Sequence, residues 1–314
     1  MNKVLVAQKT DPSVLEIIKP YAEVVTIQEG SKEDFIDKIA DCQAVLVGTW
    51  IKVTEEIMDA AKKLKVISRT GVGVDSVDVD AATKRGIYVL NTPGANAITV
   101  AEHSLAMMVS LAKHIVFLDD QVRSDNFKAR RLNLPTDLDG KTLGIIGYGT
   151  IGNLLAEKCK AAFNMEILAY DPFVTNWPSW VKTTNQTDDI FSHSDFVSLN
   201  IPATPETKNL VCERTLSLMK PSAFLINTAR GEVLNEDDLY HCLKENKIAG
   251  AGLDVFEKEP PDPNNKLFTL PNIILTPHTG ALTKECSVRV AKCAAQGIAD
   301  YLQGKEPAHI FNPF

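Results

Sequence analysis

Lys141-Thr142-Leu143-Gly144-Ile145-Ile146-Gly147-Tyr148-Gly149-Thr150-Ile151-Gly152 is an apolar run that breaks into a G-x-G-x-x-G pattern, and Asn153-Leu154-Leu155-Ala156-Glu157-Lys158-Cys159 continues it as a helical sequence. Strand, glycine turn and helix in that order make a phosphate-binding unit. Gly147 permits the tight turn, Gly149 lets backbone approach a pyrophosphate, and Gly152 lets helix and strand pack closely. The first turn of the helix then presents unpaired N–H groups and the positive end of its dipole to the phosphates. The next predicted strand, Glu166–Tyr170, is followed by Asp171, nineteen residues beyond Gly152. An acid there accepts hydrogen bonds from ribose hydroxyls. Its charge repels a 2′-phosphate, and Pro172-Phe173 brings no arginine to neutralise one. The cofactor expected is NAD.

Outward from this unit the chain alternates short apolar runs with helical patterns, which implies parallel sheets covered by helices. Downstream the strands fall at Phe196–Leu199, Ala223–Asn227, Gly250–Asp254 and Ile273–Leu275. Upstream, Val4–Ala7, Val24–Ile27, Ala44–Val47, Val66–Ser68 and Ile87–Leu90 make a smaller series of their own. A long helix is expected from Ala97 to Asp119, and a final one from Lys284 to Gln303 that packs back on the first series. The fold class is therefore α/β. A Rossmann-type doubly wound nucleotide domain, residues 96–285, is inserted into a smaller flavodoxin-like α/β substrate domain formed by residues 1–95 and 286–314.

Composition narrows the function. A chain of 314 residues is enough for about two domains. Its net charge of −7 disfavours nucleic acid as the main partner, since phosphate backbones need a basic surface. The N-terminus has only a short apolar run, too little for a secretory signal or a membrane span. Cys42, Cys159, Cys212, Cys242, Cys286 and Cys293 are scattered without a C-x-x-C pair. That spacing suits reduced thiols in the cytoplasm, with no metal site expected.

Three downstream strand ends carry polar groups, and ligands of open parallel sheets bind beyond the carboxyl ends of the strands. Phe224–Asn227 runs into Thr228-Ala229-Arg230-Gly231, where a guanidinium can pair with a carboxylate in bidentate fashion. Ala251-Gly252-Leu253-Asp254 leads to the acidic loop Glu257-Lys258-Glu259-Pro260, and Ile274-Leu275-Thr276-Pro277 ends on His278-Thr279-Gly280. Singly, each has a plainer reading as a surface arginine, a solvated turn or a structural histidine. Arg, Glu and His at separate strand ends behind a dinucleotide fingerprint point to one reaction centre. Histidine, with an unperturbed pKa of about 6.5, is the natural proton donor or acceptor in such a centre.

Together with Arg69-Thr70-Gly71-Val72-Gly73-Val74-Asp75 upstream, these segments resemble the D-isomer-specific 2-hydroxyacid dehydrogenase family over nearly the whole chain. The resemblance implies hydride transfer between nicotinamide and C2 of a D-2-hydroxy acid or 2-keto acid. It implies that Arg230, Glu259 and His278 form the catalytic set. Cofactor contacts are implied at Gly147, Gly149, Thr150, Ile151, Gly152, Asp171, Thr228, Ala229 and Asp254. Substrate contacts are implied at Arg69, at the backbone N–H groups of Val72 and Gly73, and at Arg230. It points also to a homodimer, as does the long Ala97–Asp119 helix.

Within the family the chain is most similar to the phosphoglycerate dehydrogenase branch, which puts 3-phosphoglycerate among the substrates to consider. Two features depart from that branch. Val47-Gly48-Thr49-Trp50 carries no arginine where those enzymes tend to have one, and Trp50 there suits an apolar substituent. The sequence as read to Phe314 is not expected to carry the regulatory extension found in many of those enzymes. Glu259 in place of glutamine argues against a formate dehydrogenase. An NAD(H)-sensing, corepressor-like binding protein of the same fold is the alternative of a different class.

Overall fold

In the computed structural model, residues 2–132 and 134–314 are described; Met1, the first residue of the expected substrate domain, lies outside them. Tertiary contacts divide the chain into two compact units, Met1–Asn96 with Leu282–Phe314, and Ala97–Ala281.

The first unit has five parallel strands, β1 (Asn2–Ala7), β2 (Ala22–Thr26), β3 (Ala44–Val47), β4 (Val66–Arg69) and β5 (Tyr88–Leu90), in the order β2-β1-β3-β4-β5. That is the flavodoxin-like order. Side chains of a strand alternate between faces, so a sheet covered on both sides needs apolar residues at every position. Leu5, Ala7, Val45, Val47, Ile67 and Val89 pack with Phe35, Ile39 and Ile57 on one face. Val4, Val6, Ala44, Leu46, Val66 and Leu90 pack on the other with Val14, Ile18, Ala294 and Ile298. The helices are α1 (Pro12–Ile18), α2 (Lys32–Ile39), α3 (Glu55–Ala60), α4 (Val79–Lys84) and the C-terminal helix Lys284–Leu302. Local chemistry sets their starts. Asp11 caps α1 ahead of Pro12, Ser31 and Asp34 form a reciprocal capping box on α2, and Thr283 caps the C-terminal helix. The buried Ser68 hydroxyl of β4 donates to the Ala294 carbonyl of that helix at 2.9 Å.

The second unit holds α5 (Ala97–Ala112), α6 (Ile115–Arg123), β6 (Thr142–Ile146), α7 (Thr150–Phe163), β7 (Glu166–Tyr170), β8 (Val181–Thr183), α8 (Thr187–His193), β9 (Phe196–Leu199), α9 (Glu213–Leu216), β10 (Phe224–Asn227), α10 (Glu236–Lys244), β11 (Gly250–Leu253) and β12 (Ile273–Leu275). Its parallel sheet runs β12-β11-β10-β9-β6-β7-β8, a doubly wound Rossmann order that reverses direction between β6 and β9. The fold is thus a Rossmann-type α/β unit together with a smaller α/β unit.

Two sequence expectations need correction. The helix expected over Ala97–Asp119 is two helices, because His114 takes a left-handed conformation at φ 52° between α5 and α6. The parts differ in kind. Met107, Met108 and Leu111 of α5 are buried in the core, whereas α6 buries no residue. Strand β8 was not expected at all, since two of its three residues are exposed and it shows no apolar run.

Candidate active site

The glycine turn after β6 has the shape a pyrophosphate requires. Gly147 sits at φ 93°, and a Cβ there would lie 2.5 Å from the carbonyl oxygen of Asn200, the residue after β9 across the switch point. A Cβ on Gly152 would lie 2.2 Å from the Gly147 carbonyl oxygen, so α7 and β6 can touch only through bare backbone. Gly149 is the N-cap of α7, and a Cβ built on it meets nothing within 4 Å. The opening therefore lies on the side toward which the N–H groups of Thr150, Ile151 and Gly152 are left without intrahelical acceptors. The cradle fits a dinucleotide.

Asp171 stands at the carboxyl end of β7, held by the turn itself. One carboxylate oxygen accepts from the Tyr148 N–H at 2.8 Å and the other from the Phe173 N–H at 2.9 Å. Each oxygen keeps acceptor capacity for a ribose hydroxyl.

At the end of β10, buried Asn227 ties the next turn together. Its Oδ1 accepts from the Ala229 N–H at 3.0 Å and its Nδ2 donates to the Arg230 carbonyl at 2.9 Å. Arg230 is half-buried, with Nη1 donating to the Ala229 carbonyl at 2.8 Å.

Beyond β11 and β12 lies a denser network. His278 Nδ1 meets Glu259 Oε2 at 2.6 Å, and Glu259 Oε1 accepts from the Phe256 N–H at 3.2 Å. The His278 backbone is left-handed at φ 52°, and its N–H donates to the Asp254 carbonyl at 2.8 Å. Asp254 itself is only 2% exposed. Its Oδ1 accepts from the Thr276 hydroxyl at 2.6 Å and the Thr279 N–H at 2.8 Å, while Oδ2 accepts from the Gly280 N–H at 2.7 Å. Burial alone would raise this carboxyl, but hydrogen bonds from His103, Thr276, Thr279 and Gly280 outweigh it and hold it below its ordinary value. Such a group stabilises the fold above the ordinary carboxylate pKa, and the stabilisation is lost as pH falls through the lowered one. Asp254 is thus first a clasp on the turn that carries His278, with Oδ2 retaining a lone pair for a cofactor amide.

In the first unit, Arg69 is the last residue of β4, and Val72 and Gly73 lie in the loop that follows it. The N–H groups of Val72 and Gly73 make no hydrogen bond among the described residues. Arg69 lies back over its own loop, with Nη1 donating to the Thr70 carbonyl at 2.7 Å. Trp50, which the sequence suggested for an apolar substrate substituent, is half-buried and already engaged within the first unit. Its indole packs edge-on against Phe35 in the core and donates to the Ala7 carbonyl at 2.5 Å.

Residues 105–280 match the D-isomer specific 2-hydroxyacid dehydrogenase, NAD binding domain. The chain belongs to this family. Its NAD-binding unit is the one built on β6–β12, and its cofactor is NAD. A D-3-phosphoglycerate dehydrogenase of Synechocystis sp. is 42% identical over 97% of the chain and 55% of its own length. A glyoxylate reductase of Thermococcus litoralis is 36% identical over 99% of the chain and 96% of its own length. The TT0316 protein of Thermus thermophilus superposes with a TM-score of 0.90 at 32% identity, covering 98% of this chain and 99% of that one. The chain spans little more than half the length of the curated phosphoglycerate dehydrogenases it matches.

Sequence reasoning missed the residues of this chain that pack behind its strand-end turns, His103, Ser104 and Thr276. A signal was available. His103-Ser104 is a polar pair in the middle of the otherwise apolar helix α5, where burial is costly without partners.

Proposed function

We propose that the chain is an NAD-dependent D-2-hydroxyacid dehydrogenase that interconverts a 2-keto acid and its D-2-hydroxy acid. The observation that carries this reading is the 2.6 Å pair of His278 Nδ1 and Glu259 Oε2 at the carboxyl edge of a dinucleotide-binding sheet. Bound NADH supplies the hydride that reaches C2. The protein supplies the proton. Glu259 fixes the orientation of the imidazole through Nδ1, leaving Nε2 to deliver a proton to the carbonyl oxygen. In the oxidative direction the same nitrogen takes the proton back. Arg230 pairs with the substrate carboxylate and polarises the adjacent carbonyl, stabilising charge that develops on oxygen. In the first unit, the N–H groups of Val72 and Gly73 are the proposed carboxylate contacts. Thr228, Ala229 and Asp254 are the proposed contacts to the nicotinamide end of the cofactor.

Kinship to the Synechocystis relative suggests 3-phosphoglycerate, but Gly48 supplies no cation and Arg69 is turned onto Thr70. Such pairs are strong and geometrically demanding. These features favour an unphosphorylated short keto acid such as glyoxylate or hydroxypyruvate. The test is NADH oxidation against a panel from glyoxylate and pyruvate to hydroxypyruvate and 3-phosphohydroxypyruvate. Highest kcat/KM on an unphosphorylated member is expected. Preference for the phosphorylated one would restore 3-phosphoglycerate, and binding of NADH with no turnover on any member would favour an NAD(H)-sensing role.

Asp171 sets the cofactor choice. In Asp171→Ala the ribose loses charged acceptors, so the preference for NADH over NADPH should fall by about tenfold or more in kcat/KM, since such hydrogen bonds contribute roughly 1.5–3 kcal/mol each. An unchanged ratio would remove Asp171 from that role.

We propose further that the protein is a cytoplasmic homodimer. The cysteines are all unpaired, and their scattered spacing without a C-x-x-C pair is what favours a reducing compartment. On α6 and the segment after it, Ile115, Val116, Val122, Phe127 and Leu132 are all exposed, an apolar surface of the sort subunits cover. Light scattering should give twice the 34.4 kDa of one chain. Val116→Asp should lower that mass, and a wild-type mass equal to one chain would refute the dimer.

A further inference from the structure

Helix α5 crosses behind β10, β11 and β12, and two consecutive residues on it reach different turns. Ser104 is fully buried and donates to the Val100 carbonyl at 3.0 Å. Its only proton being spent there, the 2.8 Å contact with Thr228 Oγ1 has Thr228 as donor. Thr228 lies in the turn that ends on Arg230. His103 Nε2 lies 3.0 Å from Thr276 Oγ1, whose own proton goes to Asp254 Oδ1 at 2.6 Å. The contact therefore requires a proton on His103 Nε2, donated to Thr276. From there Asp254 holds Thr279 and Gly280 on either side of its carboxylate, and its carbonyl holds the His278 N–H. A Cβ on Gly280 would lie 2.7 Å from Asp254 Oδ2, so this turn closes down on the carboxylate without room for a side chain.

We propose that His103 and Ser104 are positioning residues: they gauge the separation of the Arg230 turn from the His278 turn by anchoring both to one rigid helix. Neither touches the substrate. A helix fixes two adjacent residues relative to one another, whereas two loops left to themselves drift, and misplacement of about 1 Å can cost on the order of a hundredfold in rate. Leucine at 103 and alanine at 104 would serve packing alone. The hydrogen-bonding pair there instead ties the proton donor and the carboxylate-binding arginine to a common ruler. By donating to Thr276 Oγ1, His103 also turns the single hydroxyl proton of Thr276 toward Asp254, and so sets the geometry of the clasp beneath His278. The inference rests on Arg230 and His278 carrying the chemistry, and its test separates the two ideas.

The experiment compares His103→Leu, His103→Gln, Ser104→Ala and His278→Asn in the full chain. It measures kcat, keto-acid KM, NADH affinity by fluorescence and the thermal midpoint. His103→Leu should lower kcat by about 10- to 100-fold, the range set by small misplacements, with NADH affinity and KM nearly unchanged. His103→Gln, whose amide N–H can donate to Thr276 as Nε2 does, should recover most of that loss. Ser104→Ala should act in the same direction. If His103→Leu does not fold, Thr276→Val breaks the same relay at nearly constant volume and should give the same drop. Unchanged kcat in His103→Leu, or an equal loss in His103→Gln, overturns the positioning role while an inactive His278→Asn leaves the catalytic reading standing. A fully active His278→Asn overturns both.

Discussion

His278→Asn should lower kcat by about a thousandfold while leaving NADH affinity close to that of the native protein, since positioned acid–base catalysis contributes roughly 10²–10⁴. Asparagine is the informative replacement. Position 278 is held at φ 52°, a region where most side chains are strained but asparagine is tolerated. The turn should therefore survive, with the N–H still bonded to the Asp254 carbonyl. What disappears is a group able to give up a proton and the 2.6 Å contact to Glu259. Turnover within a few fold of native would remove His278 from the mechanism. A loss of NADH affinity as large as the loss of rate would show that the residue shapes the cofactor site.

The largest structural effect should come from Gly231→Ala. Gly231 follows Arg230 at the point where that turn meets the backbone of the segment leading to Glu259. A Cβ there would lie 1.8 Å from the Phe256 carbonyl oxygen, 1.9 Å from its carbonyl carbon and 2.5 Å from the Glu257 nitrogen. None of these is the far end of a flexible side chain, so the two segments must separate. The Phe256 N–H also holds Glu259 Oε1, so displacement of Phe256 carries Glu259 away from His278. Overpacking usually costs about 1–3 kcal/mol and more where backbone must move. We expect a loss of about 3 kcal/mol or more in denaturant melts, and a collapse of kcat beyond what the lost stability explains. Native stability together with native turnover in this variant would contradict the close approach.

Much of the fold was legible because it is written in short-range pattern. Ala44–Val47 and Phe196–Leu199 are apolar at every position but one, buried Ser198, the mark of a strand covered on both faces, and both lie where the sequence puts them. The glycine spacing of Gly147, Gly149 and Gly152 announced the nucleotide turn in the same way. Strand β8 escaped because an edge strand of three residues has one neighbour and little apolar content. The break at His114 escaped because a single left-handed residue leaves the apolar periodicity on either side intact.

Side-chain commitments were harder to read. Trp50 looked like a substrate contact because its neighbours Gly48 and Thr49 read as a loop, yet the indole finds Phe35 and the Ala7 carbonyl, both distant in sequence. His103 carried no role in the sequence reading, because its partner Thr276 lies 173 positions further along the chain. Asp254 read as a cofactor contact, but most of its hydrogen-bonding capacity is spent on the turn from Thr276 to Gly280.

By itself, the sequence determined the two α/β series, the phosphate turn, the acid after β7 and the three strand ends that carry Arg230, Glu259 and His278, because backbone propensity, apolar periodicity and glycine stereochemistry are local. Only the tertiary structure decided that Asp254 clasps the His278 turn and that α5 anchors two turns at once. Those are contacts between segments distant in the chain, set by which side chains find partners when the sheet closes, and no local pattern encodes them.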